Sequence, residues 1–360
     1  MRRVAVALLL ALLAGCARTP RVGRGDSTTC THLQSERAVR GLAICEDVWI
    51  CARPPGTPYD RIGLRRLTPC DGGPGPIVLY LPGMHMNGEL PISDARYDLR
   101  LYLAQAGLTV WALDWRTHAV AADVGQDGLA AVAGWTADQF VGDASWALRF
   151  VSGADPGPLF VMGFSYGAQV AYRLASDADL PVAGLVILDG TAGGGRSAPE
   201  GGSVIDVGGG RLPWSDRAQL LDAAVRGQAG AGDRLAEVLW SAPSFGGKGG
   251  LSAARDGITD VRVAARLLKS YDRWWPRAAL DTGTARPRRK PLPILAFASG
   301  NLGAEWIDHV KSSAKAFGGD RAAIRELPRH GHVDVLIAED AAHQVYEPTR
   351  AWLAAQSGLQ

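Results

Sequence analysis

No stretch of this sequence is apolar for long enough to cross a bilayer as a helix. The one candidate run, at the very start, ends at Leu13, whereas a spanning helix needs about 20 residues. Charge of either sign is not in excess: Lys and Arg number 38 against 36 Asp and Glu, so neither nucleic acid nor an anionic membrane surface is implied as a partner. Cysteine is scarce, five in 360 residues, and no two are spaced C-x-x-C, which argues against a zinc site. HExxH, an EF-hand loop and a Walker lysine motif are all missing, as is any internal repeat. Gly-rich runs at 193–195, 208–210 and 246–247 do not read as phosphate cradles, because no helix clearly opens after them and no lysine-serine pair follows. Neither a metal nor a cofactor is expected.

What is present begins at the first residue. Arg2-Arg3, the apolar run Val4 to Leu13 and the small residues Ala14-Gly15 before Cys16 make a secretion signal over residues 1–15. Its ending, Leu13-Ala14-Gly15-Cys16, resembles the lipobox of bacterial lipoproteins. That resemblance implies that Cys16 is lipid-modified, becomes the new N-terminus and anchors the protein to a membrane of the bacterial envelope, on the extracytoplasmic side. Removal of Arg2 and Arg3 with the signal leaves 36 basic residues against 36 acidic ones. Residues 16–29 read as a flexible tether. The other cysteines, Cys30, Cys45, Cys51 and Cys70, are even in number and crowded together, as two disulfides of an exported protein would be, with three pairings open.

From residue 30 the length suits one large α/β domain with an insertion. Two N-terminal strands, Cys45–Cys51 and Arg61–Thr68, precede an alternation of apolar strands and amphipathic helices. The strands are Ile77–Leu81, Leu108–Leu113, Leu159–Met162, Val182–Leu188, Pro293–Ala298 and Ala322–Leu327; the helices are Arg96–Ala106, Gly134–Val151, Ala304–Phe317 and Ala341–Ala355. This order predicts a doubly wound, mostly parallel α/β sheet with helices on both faces. The rhythm fails over residues 191–290, which read as a helical cap inserted after the sixth strand and leave 30–190 and 291–360 as the core.

One short stretch carries the chemistry. The buried strand Leu159–Met162 runs into Gly163-Phe164-Ser165-Tyr166-Gly167, after which Val170, Ala171 and Leu174 fall on one helical face. Glycines two residues either side of Ser165 allow a strained turn that lifts the hydroxyl out of the sheet, with helix-start N–H groups beside it. This segment closely resembles the nucleophile elbow of the α/β-hydrolase superfamily, and the succession of elements from Ile77 onward matches that family's order. The resemblance implies an α/β-hydrolase fold, with Ser165 as nucleophile.

A serine hydroxyl needs a base and a group that orients the base. The family takes the base from the loop after the last strand, here Arg329-His330-Gly331-His332-Val333-Asp334, where His332 resembles the Gly-His-x-Asp pattern and His330 is its competitor. His85 lies at a strand end and is expected to line the pocket, His118 to sit on a surface loop, and His309 and His343 on solvated helix faces. The acid departs from the commonest pattern. After the seventh strand most relatives carry an aspartate, but this chain has Ser299-Gly300-Asn301. Some members take the acid from the end of the sixth strand, which points to Asp189, with Glu305 and Asp308 as alternatives; Asp334 is expected to brace its own loop. The oxyanion donors implied are the N–H groups of Tyr166 and of Met84, from Leu81-Pro82-Gly83-Met84-His85.

The function expected is a serine hydrolase that cleaves a carboxylic ester or related acyl compound, from a small molecule or a lipid. Two alternatives stay open: a non-enzymatic binding lipoprotein that kept the fold, motivated by the missing acid, and an acyltransferase using the same residues. The Trp274-Trp275 pair is expected to pack the cap onto the body, with facing an apolar substrate as the alternative.

Overall fold

The structure is a computed structural model and describes residues 30–72, 75–193, 203–207, 212–238, 244–246 and 258–358. The signal segment, Cys16, the tether and parts of the Gly-rich runs lie outside the described residues. Eleven strands are described: β1 (Cys30–Glu36), β2 (Ile44–Ala52), β3 (Arg61–Pro69), β4 (Ile77–Leu81), β5 (Thr109–Asp114), β6 (Leu159–Phe164), β7 (Gly184–Leu188), β8 (Val204–Asp206), β9 (Trp274–Pro276), β10 (Ile294–Ser299) and β11 (Ala322–Leu327). Nine form one sheet in the order β1-β2-β3-β5-β4-β6-β7-β10-β11, while β8 and β9 pair separately. From β5 to β11 the neighbours in the large sheet are parallel, and β3, β2 and β1 add to its edge in antiparallel fashion.

Strands β4, β6, β7 and β10 are buried along their whole length. They read as unbroken apolar runs because both faces of a parallel sheet are covered by helices. On one face lie α1 (Leu99–Gln105) and α10 (Glu347–Ser357), whose apolar cluster α5 (Trp214–Val225), α6 (Ala231–Val238) and α7 (Val261–Lys269) join; on the other lie α3 (Ala137–Ala154), α4 (Tyr166–Ser176) and α8 (Ala304–Gly318). Two more helices, α2 (Gln126–Gly134) and α9 (Asp334–Ile337), complete the set described.

The sequence reading missed β1, whose residues after Cys30 are all exposed, so no burial pattern marks it. Counting β1, the elbow strand is β6 and the insertion lies between β7 and β10. Helix boundaries moved where polar side chains cap them. Asp98 accepts the N–H groups of Arg100 and Leu101, so α1 starts at Leu99 rather than Arg96. Gln139 accepts the Thr136 N–H at 2.8 Å, which separates α3 from α2 and makes Gly134 the end of one helix instead of the start of the next. Trp275 of β9 is fully buried against Trp115, Phe140 and Tyr166, which seats the returning arm of the insertion on the body.

The disulfides are Cys30–Cys51 and Cys45–Cys70, one of the three pairings. They fit an oxidising, extracytoplasmic compartment. Among the described residues no helix is long and apolar enough to cross a membrane. Strand β1 pairs only with β2 and buries almost nothing; Cys30–Cys51, one ladder and the exposed contacts of His32 and Ser35 with Asp47 and of His32 with Trp49 hold it. Replacing both of these cysteines by serine is expected to lower stability by about 3 kcal/mol. Hydrogen exchange of the Thr31–Glu36 amides would rise sharply, with the amides of β4 and β6 unchanged.

Candidate active site

Ser165 sits between β6 and α4 with φ 54° and ψ −114°, a conformation that L-residues avoid unless the surroundings impose it. The glycines on either side make the turn possible. A Cβ on Gly167 would collide with the Leu81 carbonyl, and one on Gly163 would strike the backbone of Gly167 and Ala168. The Ser165 N–H donates to the Leu188 carbonyl at 3.2 Å, which ties the elbow to the end of β7. Tyr166 opens α4, so its N–H has no acceptor within the helix.

Asp189 follows β7 directly, also at positive φ, 52°. Its side chain is fully buried and takes four hydrogen bonds. His332 Nδ1 lies 2.5 Å from Oδ2; the Ser299 N–H and hydroxyl donate at 2.7 Å each; the Trp306 indole N–H donates at 2.9 Å. Burial pushes the Asp189 carboxyl up, but the hydrogen bond and charge of His332, then the donors from Ser299 and Trp306, outweigh it and leave the pKa lowered. The acid is therefore held ionised against its histidine.

The His332 ring stacks on Phe164, the residue before Ser165, with centroids 4.8 Å apart, and Trp306 meets it edge-on at 6.2 Å. The imidazole is 22% exposed, so its free edge is open to solvent. No hydrogen bond joins the Ser165 hydroxyl to His332 among the described residues; the two are linked through Phe164. Such bonds are commonly loose in unliganded sites and tighten around substrate.

The competing residues are placed elsewhere. His330 Nε2 bonds to Asp340 at 3.0 Å, and Glu305 and Asp308 are exposed on α8. Asp334 is buried and accepts the N–H groups of Gly331 and Gly246 and the Thr259 hydroxyl. It thus braces its own loop and fastens the insertion to it, as the Val333 N–H does by donating to the Ser244 carbonyl at 2.7 Å. His309 and His343 are exposed. Met84 is half-buried, and a Cβ on the preceding Gly83 would meet the Phe164 ring.

Two histidines are more deeply engaged than their sequence positions imply. His85 is buried, with Nδ1 2.9 Å from the Asp272 carbonyl, and burial pushes its pKa down to about 4. His118 is on the loop after β5 but is not a solvated surface residue: its Nδ1 lies 2.8 Å from Asp272 Oδ1 and its Nε2 3.5 Å from Glu89. Burial works against its charge, yet the Asp272 and Glu89 carboxylates outweigh burial and push the pKa up to about 11. Sequence reasoning also missed Ser299 and Trp306, the donors to Asp189. Ser299 carried a signal, a polar residue closing a buried strand where relatives place the acid; Trp306, one turn into α8, carried none.

Residues 78–347 match the family model described as "Alpha/beta hydrolase family", and the chain belongs to that family. Among solved structures, a candidate lipase from Sulfolobus solfataricus superimposes with a TM-score of 0.75 at 22% identity, over 91% of this chain and 99% of its own. Rv0554 from Mycobacterium tuberculosis gives a TM-score of 0.49 at 18% identity, over 82% and 94%. Among curated proteins no sequence matches it significantly.

The His118 pair gives a pH prediction. A histidine whose pKa rises from 6.5 to about 11 on folding contributes stability that is fully present below pH 6.5 and is lost as pH climbs through 11. His118→Gln is expected to flatten that part of the fall in Tm between pH 6.5 and the alkaline limit, as followed by calorimetry.

Proposed function

We propose that this protein is a serine hydrolase that cleaves a carboxylic ester or related acyl compound. Ser165 Oγ adds to the acyl carbon while His332, whose Nδ1 is engaged by Asp189, takes the hydroxyl proton on Nε2. The carbonyl electrons move to oxygen and are held there by the N–H groups of Met84 and Tyr166. Collapse of the adduct expels the alkoxide, which leaves with the proton from His332. Water then attacks the acyl-serine by the same route, releases the acid and restores Ser165.

The observation that carries this reading is the 2.5 Å contact between His332 and a fully buried Asp189, with the His332 ring stacked on Phe164, the residue before the strained Ser165. It favours hydrolysis over a binding lipoprotein, because the acid missing after β10 has a counterpart at the end of β7. Residues 191–290 act in this reading as a cap, and residues 1–15 with Cys16 as the signal and lipid anchor of an envelope protein.

A fluorophosphonate probe is expected to label the wild-type chain and not Ser165→Ala. Asp189→Asn, which favours the wrong imidazole tautomer, is expected to lower kcat by roughly 10⁴-fold, whereas Glu305→Gln and Asp308→Asn leave it unchanged. A wild-type chain that neither labels nor turns over p-nitrophenyl esters would overturn the proposal.

A further inference from the structure

The inserted segment does more than cover the site, because its return arm is tied to the loop that follows β4. Asp272 lies between α7 and β9. Its backbone N–H donates to the His85 carbonyl at 2.7 Å, and its own carbonyl meets His85 Nδ1 at 2.9 Å, so the two residues are paired reciprocally. Asn87 Nδ2 donates to the Ser270 carbonyl at 2.8 Å and to Asp272 Oδ1 at 3.1 Å. From the loop after β5, the Thr117 hydroxyl donates to Asp272 Oδ2 at 3.1 Å and His118 binds Oδ1 at 2.8 Å. The carboxylate of Asp272 is 7% exposed. Three side chains from two loops of the body therefore converge on one buried group of the insertion.

What this strap holds is unusual backbone. His85 has φ 62°, a left-handed conformation that a non-glycine residue keeps only where its surroundings fix it. The Met86 N–H closes the turn onto the Gly83 carbonyl at 3.1 Å. Met84 lies inside that turn, between a residue bonded through its carbonyl and one clamped by Asp272, so the direction of its N–H is set by both.

We propose that Asp272 is a positioning residue for the oxyanion site: by anchoring the 270–272 strap to Asn87, Thr117 and His118, it holds His85 in its left-handed turn and so aims the Met84 N–H at the oxyanion. This inference rests on the hydrolase reading above and adds to it that the insertion completes the catalytic geometry. Loosening the strap tilts one of two donors, without removing nucleophile, base or acid.

The test compares Asp272→Ala with the milder Thr117→Val, which removes one anchor and leaves the carboxylate in place. Asp222→Asn, on an exposed carboxylate that faces Lys269, is the control. Active enzyme is counted by fluorophosphonate titration, so molecules lost to misfolding do not enter kcat. Per titrated site, Asp272→Ala is expected to lower kcat by about 10–100-fold, short of the full loss of an oxyanion donor, with KM within about 2-fold because the donor acts on the transition state. Thr117→Val shifts kcat in the same direction by a smaller factor, and a trifluoromethyl ketone, which forms a tetrahedral adduct, weakens in parallel with kcat for both. If Asp272→Ala yields no folded protein, Thr117→Val and the ketone decide. Turnover per site and ketone affinity that match the wild type overturn this inference alone; a wild-type chain with no turnover and no labelling overturns the hydrolase reading and this inference with it.

Discussion

The site depends on a carboxylate kept ionised where water cannot reach it. Burying an unpaired charge is costly enough that the group would neutralise instead. Asp189 escapes this because each approach to it is occupied by a donor: a backbone N–H and a hydroxyl from Ser299, an indole N–H from Trp306 and the imidazole of His332. Three of these four donors belong to the frame and do not change during a reaction. They fix the carboxylate in place, and the carboxylate in turn fixes which imidazole nitrogen faces it. The positive φ of Asp189 and of Ser165, and the hydrogen bond from Ser165 to the Leu188 carbonyl, then put the acid and the elbow on adjoining strand ends whose spacing the sheet sets at about 4.8 Å.

The segment between β7 and β10 is bound to both sides of that arrangement. On the histidine side, Asp334 joins Gly331 to Gly246 and Thr259, and Asn301 holds the Phe245 carbonyl at 3.0 Å. On the other side, Asp272 joins His85 and Asn87 to Thr117 and His118. Each junction is a buried carboxylate gathering donors from separate segments, the same device as at Asp189. Burial pushes the Asp334 and Asp272 carboxyls up despite their donors, whereas the donors around Asp189 outweigh burial. A segment fastened in this way moves only if several buried polar contacts break together, and each broken one leaves a group that must find water.

The core of the fold was legible because it obeys simple periodicity. Continuous apolar runs gave β4, β6, β7 and β10, and the glycines around Ser165 marked the elbow; those signals arise from burial on both faces and from close backbone approach, and both are written in single residues. The missed features share a different cause. Strand β1 buries nothing, so its alternation is invisible, and its place is set by a cysteine opposite Cys51. The caps at Asp98 and Gln139 shifted helix starts by a few residues because a polar side chain, and not the apolar stripe, decides where a helix begins. Trp306 and Asp272 were unreadable in principle: each touches its partner across more than 100 residues of chain, and nothing local distinguishes an indole that donates to a carboxylate from one that fills a core.

The placement of the acid shows how such a site tolerates change in sequence. Strands β7 and β10 are parallel neighbours with Leu188 opposite Phe297, so Asp189, just past β7, lies beside the Ala298-Ser299 end of β10. Moving the carboxylate from one strand end to the other displaces it by about one interstrand spacing, a gap that a histidine on a loop can follow. In this chain the buried Asp189 carboxylate needs donors on the β10 side. A serine satisfies the need twice, through its N–H and its hydroxyl. Together with Trp306 and His332, that serine keeps the Asp189 carboxyl below its usual range despite full burial.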